Sequence, residues 1–137
     1  GSTSGSASSS SGGSVSSGAS VSGGGSGASI ASYALKFVGN PYVSGGTSLT
    51  NGADCSGFTW AVYQNFGISI PRQSDAQGHS GKSVSYADAQ AGDIIYYGGH
   101  VGIYIGGGRI VHASTAKTGI KISSATYRSI LSVRRYY

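Results

Sequence analysis

The sequence predicts an α+β domain in which helices come first and pack on an antiparallel sheet that follows. Apolar residues recur at helical spacing in the first half, after Ile30 and again after Cys55. The second half changes to short runs rich in Ile, Val and Tyr, separated by Gly-rich turns. Helices and strands segregated along the chain, rather than alternating, argue against a parallel sheet with crossover helices.

Taken in order, residues 1–29 are nearly all Gly, Ser and Ala, with no charge, no aromatic residue and only Val15 and Val21 as larger apolar side chains. Such a stretch buries too little surface to offset its ordering entropy, so a flexible linker is expected there, one that could also carry O-linked sugar. Composition shifts abruptly at Ile30, and residues 30–137 are enough for one hydrophobic core and too few for two. Ile30, Ala34, Leu35 and Val38 predict a short helix that Gly39-Asn40-Pro41 stops. A turn-rich loop, Pro41 to Thr47, leads to Asp54-Cys55-Ser56-Gly57. From there Cys55, Phe58, Thr59, Val62 and Phe66 repeat at helical spacing, with Asp54 in the capping position and Gly67 at the stop.

Ile68 to Arg72 reads as extended and Gln73 to His79 as one or two helical turns, with His79 facing solvent. Strands are expected at Ile94–Tyr97, His100–Ile105, Arg109–Ala113, Ile120–Ile122 and Leu131–Tyr137. Asp93 is expected to cap the turn before the first of these.

Composition narrows the function. The chain has nine basic and four acidic residues for a net charge of +5, but the basic residues are scattered except for Arg134-Arg135. That pattern excludes an arginine-rich arm or a basic and aromatic stripe for nucleic acid, and it suits an anionic polymer better. No apolar run approaches the roughly 20 residues that span a bilayer. One cysteine rules out an internal disulfide framework, a paired-cysteine redox site and a multi-cysteine zinc site. The chain does not begin with Met, so a piece of a longer protein is expected, with targeting regions upstream.

A cysteine that opens a helix sits among unpaired N–H groups at the positive end of the macrodipole, where a thiolate is favoured. Free cysteines are also commonly small core residues, and that reading stays open. His100 opens one expected strand and His112 lies in the next, with Gly106-Gly107-Gly108 between them. An odd-numbered loop puts the two imidazoles on one face, opposite or diagonal; a two-residue loop puts them on opposite faces. On one face, they complete a nucleophilic site: Cys55 attacks a carbonyl carbon, His100 takes and returns the proton, and His112 orients the His100 ring. The Cys55 N–H is a candidate oxyanion donor, and Tyr42 could add a phenolic one. Two other readings stand beside this one: structural histidines, and a Cys55-His100-His112 zinc site with Asp93 as neighbour.

Six stretches in order and spacing carry a resemblance: Asn40 to Thr47, Asn51 to Phe58, Ile70 to Ser74, Ala91 to Tyr97, His100 to Ile105, and Ile110 to Ser114. From Ile30 onward the chain resembles the NlpC family of papain-like bacterial cell-wall cysteine peptidases. The resemblance implies a papain-like fold and a secreted peptidoglycan hydrolase that cuts the stem peptide between γ-D-glutamate and the following diamino acid, lysine or diaminopimelate. It implies Cys55 as nucleophile, His100 as base and His112 as the orienting third residue, with no cofactor and no metal. It places Tyr42, Asp54 and Ser56 along the substrate site, where the Asp and Ser can hold a free stem-peptide amine.

Arg72 reads either as a clamp for a substrate carboxylate or as a half-buried bonder of backbone carbonyls. Many relatives carry Trp where this chain has Ser44, which implies a wider cleft; Trp60 is expected to be core-packed or exposed rather than a substitute wall. Rival functions are a CHAP-type amidase or crosslink endopeptidase, a wall-binding module without turnover, and, last, an acyltransferase.

Overall fold

The computed structural model describes residues 25–137. Most of the expected linker, residues 1–24, lies outside the described residues. Helix α1 spans Gly25–Leu35 and so begins inside the stretch assigned to linker. Its buried stripe is Gly27, Ile30, Ala31 and Ala34, spaced i, i+3, i+4, i+7, while Leu35 is half-buried and Val38 is exposed beyond the helix. Small residues serve as its packing face, which is why composition alone read them as tether.

A two-stranded ribbon follows, β1 at Thr47–Ser48 and β2 at Gly52–Ala53, and delivers the chain to helix α2, Cys55–Asn65. Asp54 caps α2 by accepting the Gly57 N–H at 2.7 Å, and Gly67 follows the last turn with a φ of +75°. Phe66 lies at the exposed end of the helix, edge-on to Tyr33, rather than in the core. The one-turn helix α3, Ser74–Gln77, fits the expected Gln73–His79 segment, and His79 is exposed.

The sheet holds β3 (Lys82–Val84), β4 (Ile94–Tyr96), β5 (Val101–Gly106), β6 (Arg109–Thr115), β7 (Gly119–Ser124) and β8 (Ser132–Arg135). Its order is β3-β8-β4-β5-β6-β7, antiparallel throughout. Both faces are covered. Ile94, Val101, Ile103, Ile105, Val111, Ala113 and Ile120 pack with Ile30, Ala34, Phe58, Val62 and Tyr63 of the helices. On the other face Ile95, Tyr97, Tyr104, Ile110 and Val133 are buried with Ala125 under Val84, Tyr86, Ala89 and Ile130. Among the described residues no helix is long and apolar enough to cross a membrane.

The β5–β6 hairpin decides the histidine geometry. Gly106 pairs with Arg109, so the turn is the two-residue Gly107-Gly108, both with positive φ (63° and 77°). A plain two-residue turn is the case expected to put His100 and His112 on opposite faces. The register shifts between Tyr104 and Gly106, however, and beyond it Tyr104 pairs with Ile110 and Ile103 with Val111. Ile105 is the extra residue of a β-bulge, and it restores the parity that brings both histidines to one face.

Candidate active site

The N-terminal turn of α2 and the start of β5 meet at the site. Cys55 is buried, and the backbone N–H groups of Val101, Ser56 and Cys55 itself bear on its sulfur and favour the thiolate. Val101 is the residue after His100, so the thiol lies at the strand end that carries the first histidine. Burial pushes the Cys55 thiol up, the Asp54 charge adds to it, and the three N–H groups offset only part. This corrects the expected lowering: the helix N-terminus is present, but desolvation and a neighbouring carboxylate outweigh it.

The histidines are joined directly, His100 Nε2 to His112 Nδ1 at 2.7 Å. His112 Nε2 lies 2.8 Å from Ser123 Oγ on β7. Burial lowers both imidazoles to about 4; Arg128 adds to this at His100, and His100, Lys121 and Arg128 add to it at His112. The pair is therefore neutral at pH 7, with His100 Nδ1 left outside the His100–His112 bond. Gly102 gives the pairing room. A Cβ there would lie 2.7 Å from Ile110 Cδ1 and 3.2 Å from His112 Cβ, so a side chain would push the Ile110 tip aside and crowd His112 by a few tenths of an ångström.

The other expected site residues gather on the opposite side of Cys55. Arg72 Nη1 donates to Ser56 Oγ at 2.8 Å, and Nη2 donates to Asp54 Oδ2 at 3.3 Å and to the Gly46 carbonyl at 3.5 Å. Asp54 also accepts from Gly45 N–H at 2.9 Å and from Ser56 Oγ at 3.4 Å. Burial alone would raise the Asp54 carboxyl, but the bonds from Gly57, Arg72 and Gly45 hold it below its usual range. Arg72 thus spends its fork on the residues flanking Cys55 and on one backbone carbonyl. Tyr42 is brought to the same place: burial, then the charges of Cys55 and Asp54, raise its phenol, which stays a proton donor.

Two supports carry no sequence signature. Gln77, fully buried, takes the Thr59 hydroxyl at 2.6 Å and donates to the Ser56 carbonyl at 3.0 Å and the Pro71 carbonyl at 2.9 Å, tying the Arg72 segment to α2. Asp75 accepts from Tyr96 OH and from Gly99 N–H at 3.3 Å, fixing the turn just before His100. Asp93 caps its turn through Gln90 N–H at 2.8 Å, as expected, and pairs with Arg135 at 2.9 Å. It is therefore committed elsewhere, and among the described residues no three His, Cys, Asp or Glu side chains gather as a metal site. Trp60 is half-buried against the core, and Ser44 is exposed.

A model of the NlpC/P60 family matches residues 39–133. The chain belongs to that family. A probable endopeptidase of Corynebacterium glutamicum is 42% identical over 113 residues, covering 80% of this chain and 54% of its own length. The gamma-D-glutamyl-L-lysine dipeptidyl-peptidase of Bacillus subtilis is 35% identical over 113 residues, 74% of this chain and 38% of that protein. The crystal structure of the NlpC/p60 domain of the peptidoglycan hydrolase SagA matches with a TM-score of 0.73 and 36% identity, over 80% of this chain and 97% of that one. The chain spans about half the length, or less, of these curated relatives. The fold is accordingly the papain-like α+β fold of NlpC/P60 domains, and Cys55, His100 and His112 all fall inside the matched residues.

Proposed function

We propose that this NlpC/P60 domain is a cysteine endopeptidase that cuts peptidoglycan stem peptides between γ-D-glutamate and the following diamino acid. The observation that carries the reading is a thiol held against the Val101 N–H, one residue past His100, whose Nε2 is taken by a second imidazole, His112, at 2.7 Å. The activity for which the Bacillus subtilis relative is named supports the bond chosen. The protein acts outside the cytoplasmic membrane, where that substrate lies, and the longer relatives support further regions that target it to the wall.

Thiol and imidazole are both neutral at rest, so attack and deprotonation go together. His100 Nδ1 takes the thiol proton as sulfur bonds to the γ-carbonyl carbon of D-glutamate. The Cys55 N–H and the Tyr42 hydroxyl stabilise the developing oxyanion. His100 then returns the proton to the departing amine, which leaves a thioester on Cys55. A water molecule, deprotonated by His100, hydrolyses the thioester. Asp54 and Ser56, held by Arg72, face the peptide amine, and Arg72 keeps their geometry rather than acting as a free carboxylate clamp.

The test is digestion of purified muropeptides by the wild type and by Cys55→Ala, with products read by mass spectrometry. Cleavage after D-glutamate that is lost in the variant is expected. Release of stem peptide from sugar would move the function to an amidase, and binding without cleavage by the wild type would make it a wall-binding module.

A further inference from the structure

The histidine line does not end at His112. That ring is wholly buried, and each of its nitrogens has one partner: Nδ1 has His100 Nε2 at 2.7 Å, and Nε2 has Ser123 Oγ at 2.8 Å. A neutral imidazole carries its proton on one nitrogen only, so the two contacts are not independent. Two arrangements satisfy both. In the first, His112 donates from Nε2 to Ser123, His100 donates from Nε2 to His112, and His100 Nδ1 keeps a free lone pair. In the second, Ser123 donates to His112 Nε2, His112 donates from Nδ1 to His100, and the His100 proton sits on Nδ1. Only the first leaves a base for the thiol.

We propose that Ser123 is a positioning residue that selects the first arrangement by accepting the His112 Nε2–H. The proposal rests on the Cys55-His100-His112 reading above and adds a fourth member to it. Ser123 is half-buried on β7, so its own hydroxyl proton can go to water. His112 is sealed from solvent and has no other hydrogen-bond acceptor for an Nε2 proton among the described contacts. On attack the thiol proton passes to His100 Nδ1, and the resulting imidazolium keeps its Nε2–H on His112 Nδ1. No proton moves beyond His100, and the bonds to His112 and Ser123 hold their direction through the cycle.

The test combines nitrogen-15 NMR of the ring nitrogens with kinetics on muropeptides. In the wild type both histidines are expected as the Nε2–H tautomer. In Ser123→Ala, His112 is expected to shift toward Nδ1–H and His100 with it, while kcat falls about 10–100-fold, the range typical of lost outer-shell partners. KM and the melting temperature are expected to stay near wild type, and Ser123→Thr is expected to restore both tautomer and rate. An Nδ1–H tautomer on His112 in the wild type would overturn the proposal. So would Ser123→Ala with unchanged tautomers, whether its rate is normal or reduced. Failure of the cysteine-endopeptidase reading is seen separately, as a wild type that does not cut after D-glutamate or as cutting that survives Cys55→Ala, whatever the spectra report.

Discussion

The two sides of the site are held by different kinds of structure. The turn that carries Cys55 sits in a mesh: Asp54 accepts from Gly57, Gly45, Ser56 and Arg72, and Gln77 fastens the Arg72 segment to the same helix. The histidine side is a single file, in which Ser123 on β7, His112 on β6 and His100 at the start of β5 are joined end to end across a hairpin whose parity depends on the Ile105 bulge. A mesh shares the loss of one bond among neighbours and answers in stability. A file passes the loss along and answers in rate.

The sharpest break comes at the file. His100→Ala removes the proposed base, and kcat is expected to fall by about 10⁴ or more, since members of a catalytic unit are lost nearly all together. Its melting temperature should fall too, but only by what one unpaired buried nitrogen costs, about 1–3 kcal/mol, because the wholly buried His112 Nδ1 loses its partner. Muropeptide kinetics and a thermal melt on the same preparation check both halves.

On the mesh side the order reverses. Gln77→Ala leaves the Pro71 carbonyl short of a partner, at about 1–3 kcal/mol for a buried polar group left unpaired, while the Thr59 hydroxyl and the Ser56 carbonyl keep each other at 2.9 Å. A loss of stability of about 1–3 kcal/mol is expected from urea unfolding, with a smaller fall in kcat. Equal loss of rate and no loss of stability would erase the distinction between the two sides.

Gly102→Ala tests how tightly the file is seated. Its Cβ would meet the mobile end of Ile110 and the Cβ of His112. Overpacking of this size costs about 1–3 kcal/mol, and the fall in kcat should exceed what that loss explains, because His112 itself is displaced. Smaller still is Asp75→Ala, which frees Gly99 N–H ahead of His100. A severalfold fall in kcat with little change in KM is expected.

Acid separates the sides by another route. Both histidines titrate near 4 in the folded protein against 6.5 for the ordinary group, so between those values the unfolded chain binds more protons than the folded one. Stability is therefore complete above about pH 6.5 and declines as pH falls toward 4. The acid limb of kcat/KM should lie near pH 4, and the melting temperature should drop through the higher window. The His100→Ala variant should show a shallower decline.

Much of the mesh was legible in the sequence. Asp54 before a run spaced as Cys55, Phe58, Thr59 and Val62, with Gly67 beyond it, is a helix start and stop that local chemistry dictates. The strands were legible too, because short runs rich in Ile, Val and Tyr between Gly-rich turns mark Ile94–Tyr96 and Arg109–Thr115, both buried on two faces. The file was legible only as two histidines near a glycine turn. A two-residue turn read alone gives the wrong face, and nothing marks Ile105 as the bulged residue. Ser123 is one serine among many, and Gln77 looks like any polar residue of a short helix; tertiary contacts alone assign their roles. The thiol was misjudged because burial by the whole fold outweighs a local helix end. Helix α1 began early because Gly27 and Ala31 pack as well as larger residues where neighbours approach closely.

The most direct test of the account is a rapid acid quench of the wild type turning over a defined stem peptide, with the intact protein and its digest read by mass spectrometry. The account predicts a transient acyl adduct ending in γ-D-glutamate, carried on the Cys55 peptide and absent from Cys55→Ala and His100→Ala. Hydrolysis of the same bond with no adduct on Cys55, and at an undiminished rate in Cys55→Ala, would contradict it.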